Sequence, residues 1–170
     1  MNLTYTSARA QIQSGDLIAL KHKRWRTFYD WQVQAVQTVT QSPYCHVAQV
    51  WAVGERLFVL EAVTPLVRMV PLTYFAMEGF YWIQIGTPMN DVELAKALEQ
   101  VAIAGYSKWQ ALLAFFGRLE LGADQVTQCC EYVITNRRLS GVDLGPVATP
   151  AAVVQAALAQ GKPLFYVQGK

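Results

Sequence analysis

The chain has 170 residues, with 14 Lys+Arg against 12 Asp+Glu, 53% hydrophobic residues and only 15% charged ones. That length suits one domain over 1–170 with a buried core, and the aromatic content excludes a disordered chain. A formal net charge of +2 argues against a nucleic-acid partner, because such a surface cannot neutralise many phosphates. Charge this low predicts either an unusually large core or a surface covered by a protein partner or a second copy.

The first residues, MNLTYTSARAQIQSGD, lack the apolar stretch of a signal peptide. No apolar run reaches the ~18 residues needed to cross a bilayer. The expectation is a cytoplasmic protein where it is made, with no transmembrane segment. Action at a cell wall or in a virion would need delivery by another route. Asp16 to His22 (DLIALKH) reads as a strand after a Ser14-Gly15 turn. Phe28, Trp31, Ala35, Val36 and Val39 recur at helical spacing and predict a helix over 27–40, ended before Pro43. Strands follow over 46–53, 56–63, 66–75 and 80–87, rich in Val, Ile, Phe, Tyr and Trp and separated by Gly54, Pro65 and Gly79.

The second half turns helical. Asn90 and Glu93 have the spacing of a capping box; Leu94, Leu98 and Val101 form the buried stripe behind it, and Gly105 ends the helix. A short helix is predicted over 107–116, and another over 127–139 with Thr127 as its cap. Thr149-Pro150 reads as an N-cap followed by a first-turn proline, Gly161 as the residue past that helix, and Leu164 to Val167 as a last strand. A sheet mostly from the first half and helices mostly from the second predict an α+β fold.

Three cysteines, two of them adjacent, make a poor disulfide framework and favour a reducing compartment. With only two histidines and no C-x-x-C, neither a structural zinc site nor any other metal or cofactor is expected. Cys129 and Cys130 stand at the predicted start of a helix, where the macrodipole and unpaired N–H groups favour a thiolate. A thiolate is the nucleophile that amide or ester hydrolysis requires. The alternative is a pair of ordinary buried cysteines behaving as small hydrophobes.

A nucleophilic cysteine needs a base. His22 is crowded by the cations of KHKRWR, which disfavour imidazolium, so His46, opening the apolar run HVAQVWAV, is the better candidate. A third group should orient the ring. If a two- or four-residue loop around Gly54-Glu55 joins the two strands, Val53 faces Arg56 and Ala48 faces Glu61. Glu61 is then diagonal to His46 on one sheet face, roughly 7–8 Å away between backbones, within reach of a long carboxylate. A three- or five-residue loop would place them on opposite faces.

Taken in order, GDLIAL, SPYCHVAQVWAVGERLFVLEA, VRMVPL, TQCCEYVI and TPAAVVQAALAQGKPLFYV resemble the circularly permuted papain-like cysteine hydrolases. The likeness is to their YiiX/YebB-like branch, relatives of the NlpC-type cell-wall endopeptidases and of lecithin:retinol acyltransferase. It spans Gly15 to Val167. The resemblance implies an antiparallel sheet packed against helices, with the histidine before the cysteine in the chain. It implies a thiol hydrolase, a peptidase, amidase or esterase, that works through an acyl-enzyme. His46 matches the family's histidine and Glu61 its third polar residue. Aligning CCEYV on the family's C-S-E-L-V helix selects Cys129 as nucleophile, whereas the acyltransferase relatives, with Cys directly before Glu, would select Cys130. The oxyanion donor beside the nucleophile's own N–H is open between Gln128 and Tyr44. A peptide, amide or acyl-ester substrate follows. A non-catalytic binding or assembly module, or a lipid-directed thiol acyltransferase, are the alternatives.

Overall fold

In a computed structural model, residues 2–21, 43–63, 66–103, 105–106, 126–127 and 129–169 are described. The helices expected over 27–40 and 107–116, together with His22 and Gln128, lie outside the described residues. In chain order the elements are β1 (Asn2–Leu3), α1 (Tyr5–Arg9), β2 (Leu17–Lys21), β3 (Tyr44–Val53), β4 (Arg56–Val63), β5 (Leu66–Pro71) and β6 (Phe80–Ile83). Then come α2 (Asp91–Ile103), β7 (Gly105–Tyr106), β8 (Val126–Thr127), α3 (Cys129–Arg138), α4 (Pro150–Ala159) and β9 (Leu164–Val167).

The architecture is α+β, built on a nine-stranded sheet in the order β1-β9-β6-β2-β3-β4-β5-β7-β8. The expected antiparallel sheet needs correction at its two edges. β1 runs parallel to β9, and β7 parallel to β8, so the sheet is mixed. Those parallel pairs join segments far apart in sequence, which a hairpin cannot do. Some element ends also shift. The strand expected over 66–75 stops at Pro71 and turns into a 3-10 segment, Leu72–Tyr74. That expected over 80–87 stops at Ile83, where the chain turns away through Gly86 at φ 74°. Thr127 lies in β8, and the helix expected from 127 begins at Cys129.

Strand alternation sends side chains to both faces, and both faces are covered. On one, Leu17, Ala19, Val47, Leu60, Ala62 and Ile83 pack under the helices, meeting Ala97 of α2, Tyr132 and Val133 of α3, and Val153, Val154 and Ala157 of α4. On the other, Ile18, Ala48, Val50, Val59, Phe80 and Trp82 pack against Tyr5 and Ala8 of α1 and against Leu72, Phe75 and Ala76. A sheet buried on both faces needs apolar residues at nearly every position. This accounts for much of the low charge content.

Two glycines have specific tasks. Gly54, at φ 56°, starts the two-residue turn between β3 and β4, where a positive φ is required. Gly15, at φ 92°, leaves no room for a Cβ, which would lie 2.7 Å from Nη1 of Arg137 and 2.8 Å from the Thr87 carbonyl oxygen. Beside it, buried Asp16 ties three segments together. Its Oδ2 accepts from the Gln13 N–H (3.0 Å) and the Trp82 indole (2.9 Å), and its Oδ1 from the Ile85 N–H (2.9 Å). Burial pushes the Asp16 carboxyl up, and these hydrogen bonds work against that rise.

α3 is held in place by a buried ion pair. Both carboxylate oxygens of Glu93 in α2 accept from Arg137 Nη1, at 2.9 and 2.7 Å, and Arg137 Nη2 donates to the Thr87 carbonyl at 2.6 Å. Gln49 and Ser140 also donate to Glu93. The capping box expected at this helix is therefore half formed. The Glu93 N–H donates to Asn90 Oδ1 (2.8 Å), but the Glu93 carboxylate serves the core instead. At α4 the capping residues act as expected, with Thr149 Oγ1 accepting from the Ala152 N–H at 3.2 Å and Gly161 at φ 73° beyond the end.

Candidate active site

The β3–β4 ladder pairs Val53 with Arg56, Trp51 with Phe58 and Gln49 with Leu60. This is the register of a two-residue turn, and it carries Ala48 to a place opposite Glu61. Glu61 is then diagonal to His46, and the side chains span the gap. Glu61 Oε2 lies 2.7 Å from His46 Nε2. The carboxylate is 1% exposed, so it is costly to bury without partners.

A second partner, which the sequence reading missed, comes from the next strand. β4 and β5 pair Val63 with Leu66, which sets Arg68 directly across from Glu61. Glu61 Oε1 accepts from Arg68 Nε at 2.8 Å and lies 2.7 Å from Nη2. The Arg68 guanidinium in turn sits 5.3 Å from the centre of the Tyr74 ring. The same antiparallel register that links His46 to Glu61 leads, one strand further, to Arg68.

His46 sits at an irregularity in the sheet. β2 pairs Leu20 with His46 but Lys21 with Tyr44, so Cys45 is an extra, bulged residue. Bulges bend a strand and re-aim its side chains. The Cys45 thiol donates to the Leu20 carbonyl at 3.3 Å, and burial, with the charge at Cys129 adding to it, pushes that thiol up to about 12. Tyr44 packs edge-on against Tyr81, ring centres 5.3 Å apart, with the Lys21 ammonium over the Tyr81 ring at 4.5 Å.

Cys129 enters from the first position of α3. Its sulfur and the His46 ring each favour the charged form of the other. Nε2 is taken by Glu61, which leaves Nδ1 for that interaction. The Cys129 thiol is held well below the usual thiol range. The Cys130 thiol donates to it, burial opposes, and the His46 ring and the Val47 backbone N–H add to the lowering. For His46, burial disfavours the charged ring, but hydrogen bonds and opposite charges at Cys129 and Glu61 outweigh it and raise the ring to about 10. Glu61 is lowered: burial opposes the charge, and His46 and Arg68 more than offset it.

Cys130 is 1% exposed, and its Sγ lies 3.6 Å from that of Cys129. Burial first, and then the neighbouring sulfur's charge, push its thiol well above the usual range. The two adjacent cysteines thus differ in chemical character: one favours the thiolate and the other keeps its proton. Such an ordered thiolate–imidazolium–carboxylate line is suited to nucleophilic attack and proton return.

No protein-family model matches the chain, and no curated protein sequence matches it. Among solved structures it is similar to the crystal structure of the metalloprotein YiiX from Escherichia coli O157:H7. The identity is 21%, covering 88% of this chain and 82% of that one, with a TM-score of 0.58. The likeness extends over most of both molecules and shows that this chain shares the fold of YiiX.

Proposed function

We propose that this protein is a thiol hydrolase of the permuted papain-like kind, cleaving an amide or ester through an acyl-enzyme. The observation that carries the reading is the His46 ring, held by the buried Glu61 carboxylate at 2.7 Å, with the Cys129 sulfur and the ring each favouring the other's charged form. Cys129 attacks the substrate carbonyl as thiolate. The developing oxyanion is met by the positive end of α3, with the Cys129 N–H as one donor. His46, protonated at Nδ1, gives its proton to the leaving group and then takes one from the water that attacks the thioester. Glu61 holds Nε2–H and favours the charged ring, and Arg68 fixes the carboxylate. Gln128 and Tyr44 remain the candidates for the second oxyanion donor.

The solved neighbour is described as a metalloprotein. Among the described residues of this chain, no group of three or more His, Cys, Asp and Glu side chains is placed to hold an ion. The sulfur, ring and carboxylate of the site already engage one another. The donors present do not fit a metal, and no step is assigned to one. Among the described residues, no helix is long and apolar enough to cross a membrane, and the substrate is taken to be a peptide, amide or acyl ester.

Labelling with iodoacetamide near neutral pH, followed by peptide mass spectrometry, tests the reading. Cys129 should be alkylated far faster than an ordinary thiol, and Cys45 and Cys130 should not. If Cys129 reacts no faster than free cysteine, the hydrolase reading is wrong and a non-catalytic module takes its place.

A further inference from the structure

The hydrolytic mechanism uses one of the three cysteines gathered at the site. We propose that Cys130 is a resolving thiol: when peroxide oxidises Cys129 to a sulfenic acid, Cys130 captures it as a reducible Cys129–Cys130 disulfide. This rests on the reading of Cys129 as a reactive thiolate and adds to it a modification site that hydrolysis does not require.

Geometry supports the pairing. The two sulfurs are 3.6 Å apart, in contact before any reaction. Cys130 is 1% exposed and Cys129 9%, so an oxidant in solvent meets Cys129 first. Cys45 is a poorer partner, because its thiol already donates to the Leu20 carbonyl. Burial, and after it the charge on the Cys129 sulfur, keep Cys130 protonated while the pair is reduced. Oxidation converts that sulfur into a neutral sulfenic acid and removes the second of these, so Cys130 gives up its proton more readily once there is a sulfenic acid to capture.

The chemistry balances with hydrogen peroxide as oxidant. The Cys129 thiolate attacks one peroxide oxygen; an S–O bond forms, the O–O bond breaks, and sulfur gives up two electrons. The departing hydroxide takes the His46 proton and leaves as water. Cys130 Sγ then attacks the Cys129 sulfur; the S–S bond forms, the S–O bond breaks, and the hydroxyl leaves with the Cys130 proton as a second water. Sulfenic acids condense with thiols in this way, whereas further oxidation to sulfinic acid is in general irreversible.

The helix position determines how durable the bond is. Adjacent Cα atoms lie about 3.8 Å apart across a trans peptide, short of the roughly 4.4–6.8 Å that disulfides usually span. A vicinal bond is therefore strained, and strained disulfides are the easily reduced ones. It forms in the first turn of α3, where backbone N–H groups have no partner within the helix and can adjust. The expected result is a protective, reversible state.

The test uses the reduced full-length protein and a small excess of hydrogen peroxide, with dimedone to trap sulfenic acid, then mass spectrometry. Wild type should lose two hydrogens, give a Cys129–Cys130 linkage and regain rapid Cys129 alkylation after dithiothreitol. Cys130→Ser, which keeps a hydroxyl to donate to the Cys129 sulfur, should accumulate about tenfold more dimedone adduct on Cys129 and pass to a sulfinic acid that dithiothreitol does not reverse. Cys130→Ala removes that donor as well, so its adduct, normalised to its own rate of Cys129 alkylation, should match Cys130→Ser, and a matching melting curve separates lost chemistry from lost folding. Cys45→Ser should behave like wild type. Equal trapping in wild type and both Cys130 variants, or a linkage that maps to Cys45, overturns the proposal. Normal alkylation of reduced Cys129 with no linkage sinks only the resolving role. A Cys129 inert to both iodoacetamide and peroxide sinks the hydrolase reading along with it.

Discussion

Replacing Glu61 by Gln removes a charge while keeping the shape of the side chain, so it isolates what the carboxylate does for His46. Glu61 lies 2.7 Å from His46 Nε2 through one oxygen and 2.8 Å from Arg68 Nε through the other. Two opposite charges about 4 Å apart are worth about 4 kcal/mol at an effective dielectric of about 20. The half-buried Arg68 cation opposes imidazolium and takes back part of this, leaving about 2 kcal/mol for the His46–Cys129 ion pair. That energy corresponds to a thiolate population about 30-fold smaller under acidic conditions. The assay is the rate of iodoacetamide alkylation at Cys129 at about pH 6, read by peptide mass spectrometry with Cys45 and Cys130 as internal references. Glu61→Gln should react about 30-fold more slowly there, and the gap should close toward about pH 9, where thiols ionise unaided. A folded Glu61→Gln protein alkylated within about twofold of wild type at pH 6 would refute the reasoning.

Other consequences can be measured without a substrate. Asp16→Ala leaves the Trp82 indole N–H and the Ile85 N–H without their acceptor. At roughly 1–3 kcal/mol for each orphaned group, a loss of about 3 kcal/mol is expected, or about 6–12 °C in Tm by calorimetry. An unchanged melting point would show that Asp16 is not the clamp described. Arg137→Met strips the buried Glu93 of its counter-charge. Urea unfolding should show a loss of about 3–5 kcal/mol, partly restored when Glu93→Gln is added. The pH dependence follows from His46, raised from 6.5 to about 10. A group whose pKa rises on folding contributes its full stability below its unfolded value and loses it as pH climbs through the folded one. Cys129, lowered by the same contact, contributes above the ordinary thiol value and loses that contribution as pH falls. The stability gap between wild type and His46→Gln should therefore be widest between about pH 6.5 and 8.5 and shrink on approaching pH 10. A gap that keeps widening from about pH 9 to 10 would contradict the raised His46.

How much of this was legible in the sequence varied with the kind of interaction. β3 and β4 could be read because Val, Trp, Phe and Leu runs flank a single Gly54, and the period of two then placed Glu61 beside His46. Arg68 was missed although the same logic reaches it, because the charge in VRMVPL looks like an ordinary exposed strand residue until Glu61 is seen opposite. The bulge at Cys45 leaves no local mark, since it is imposed by pairing with β2. The Glu93–Arg137 pair joins helices 44 positions apart in sequence, and Glu93 carries a convincing but misleading capping signal. Strands of two residues, such as β1, β7 and β8, are too short to show any alternation. The difference between Cys129 and Cys130 was also beyond motif spacing, because it depends on which sulfur meets His46.

Everything proposed for the site depends on Cys129 forming an acyl-enzyme with the help of His46. The most direct measurement mixes the protein with p-nitrophenyl acetate and follows nitrophenolate release, while rapid quenching and peptide mass spectrometry locate any acetyl group. A burst of nitrophenolate equal to the enzyme present, acetylation of Cys129, and slow regeneration of the free thiol are expected. His46→Gln should abolish the burst while leaving the fold intact. Acetylation of Cys130 instead, or no acetyl-cysteine in a protein whose Cys129 is free and folded, would contradict it.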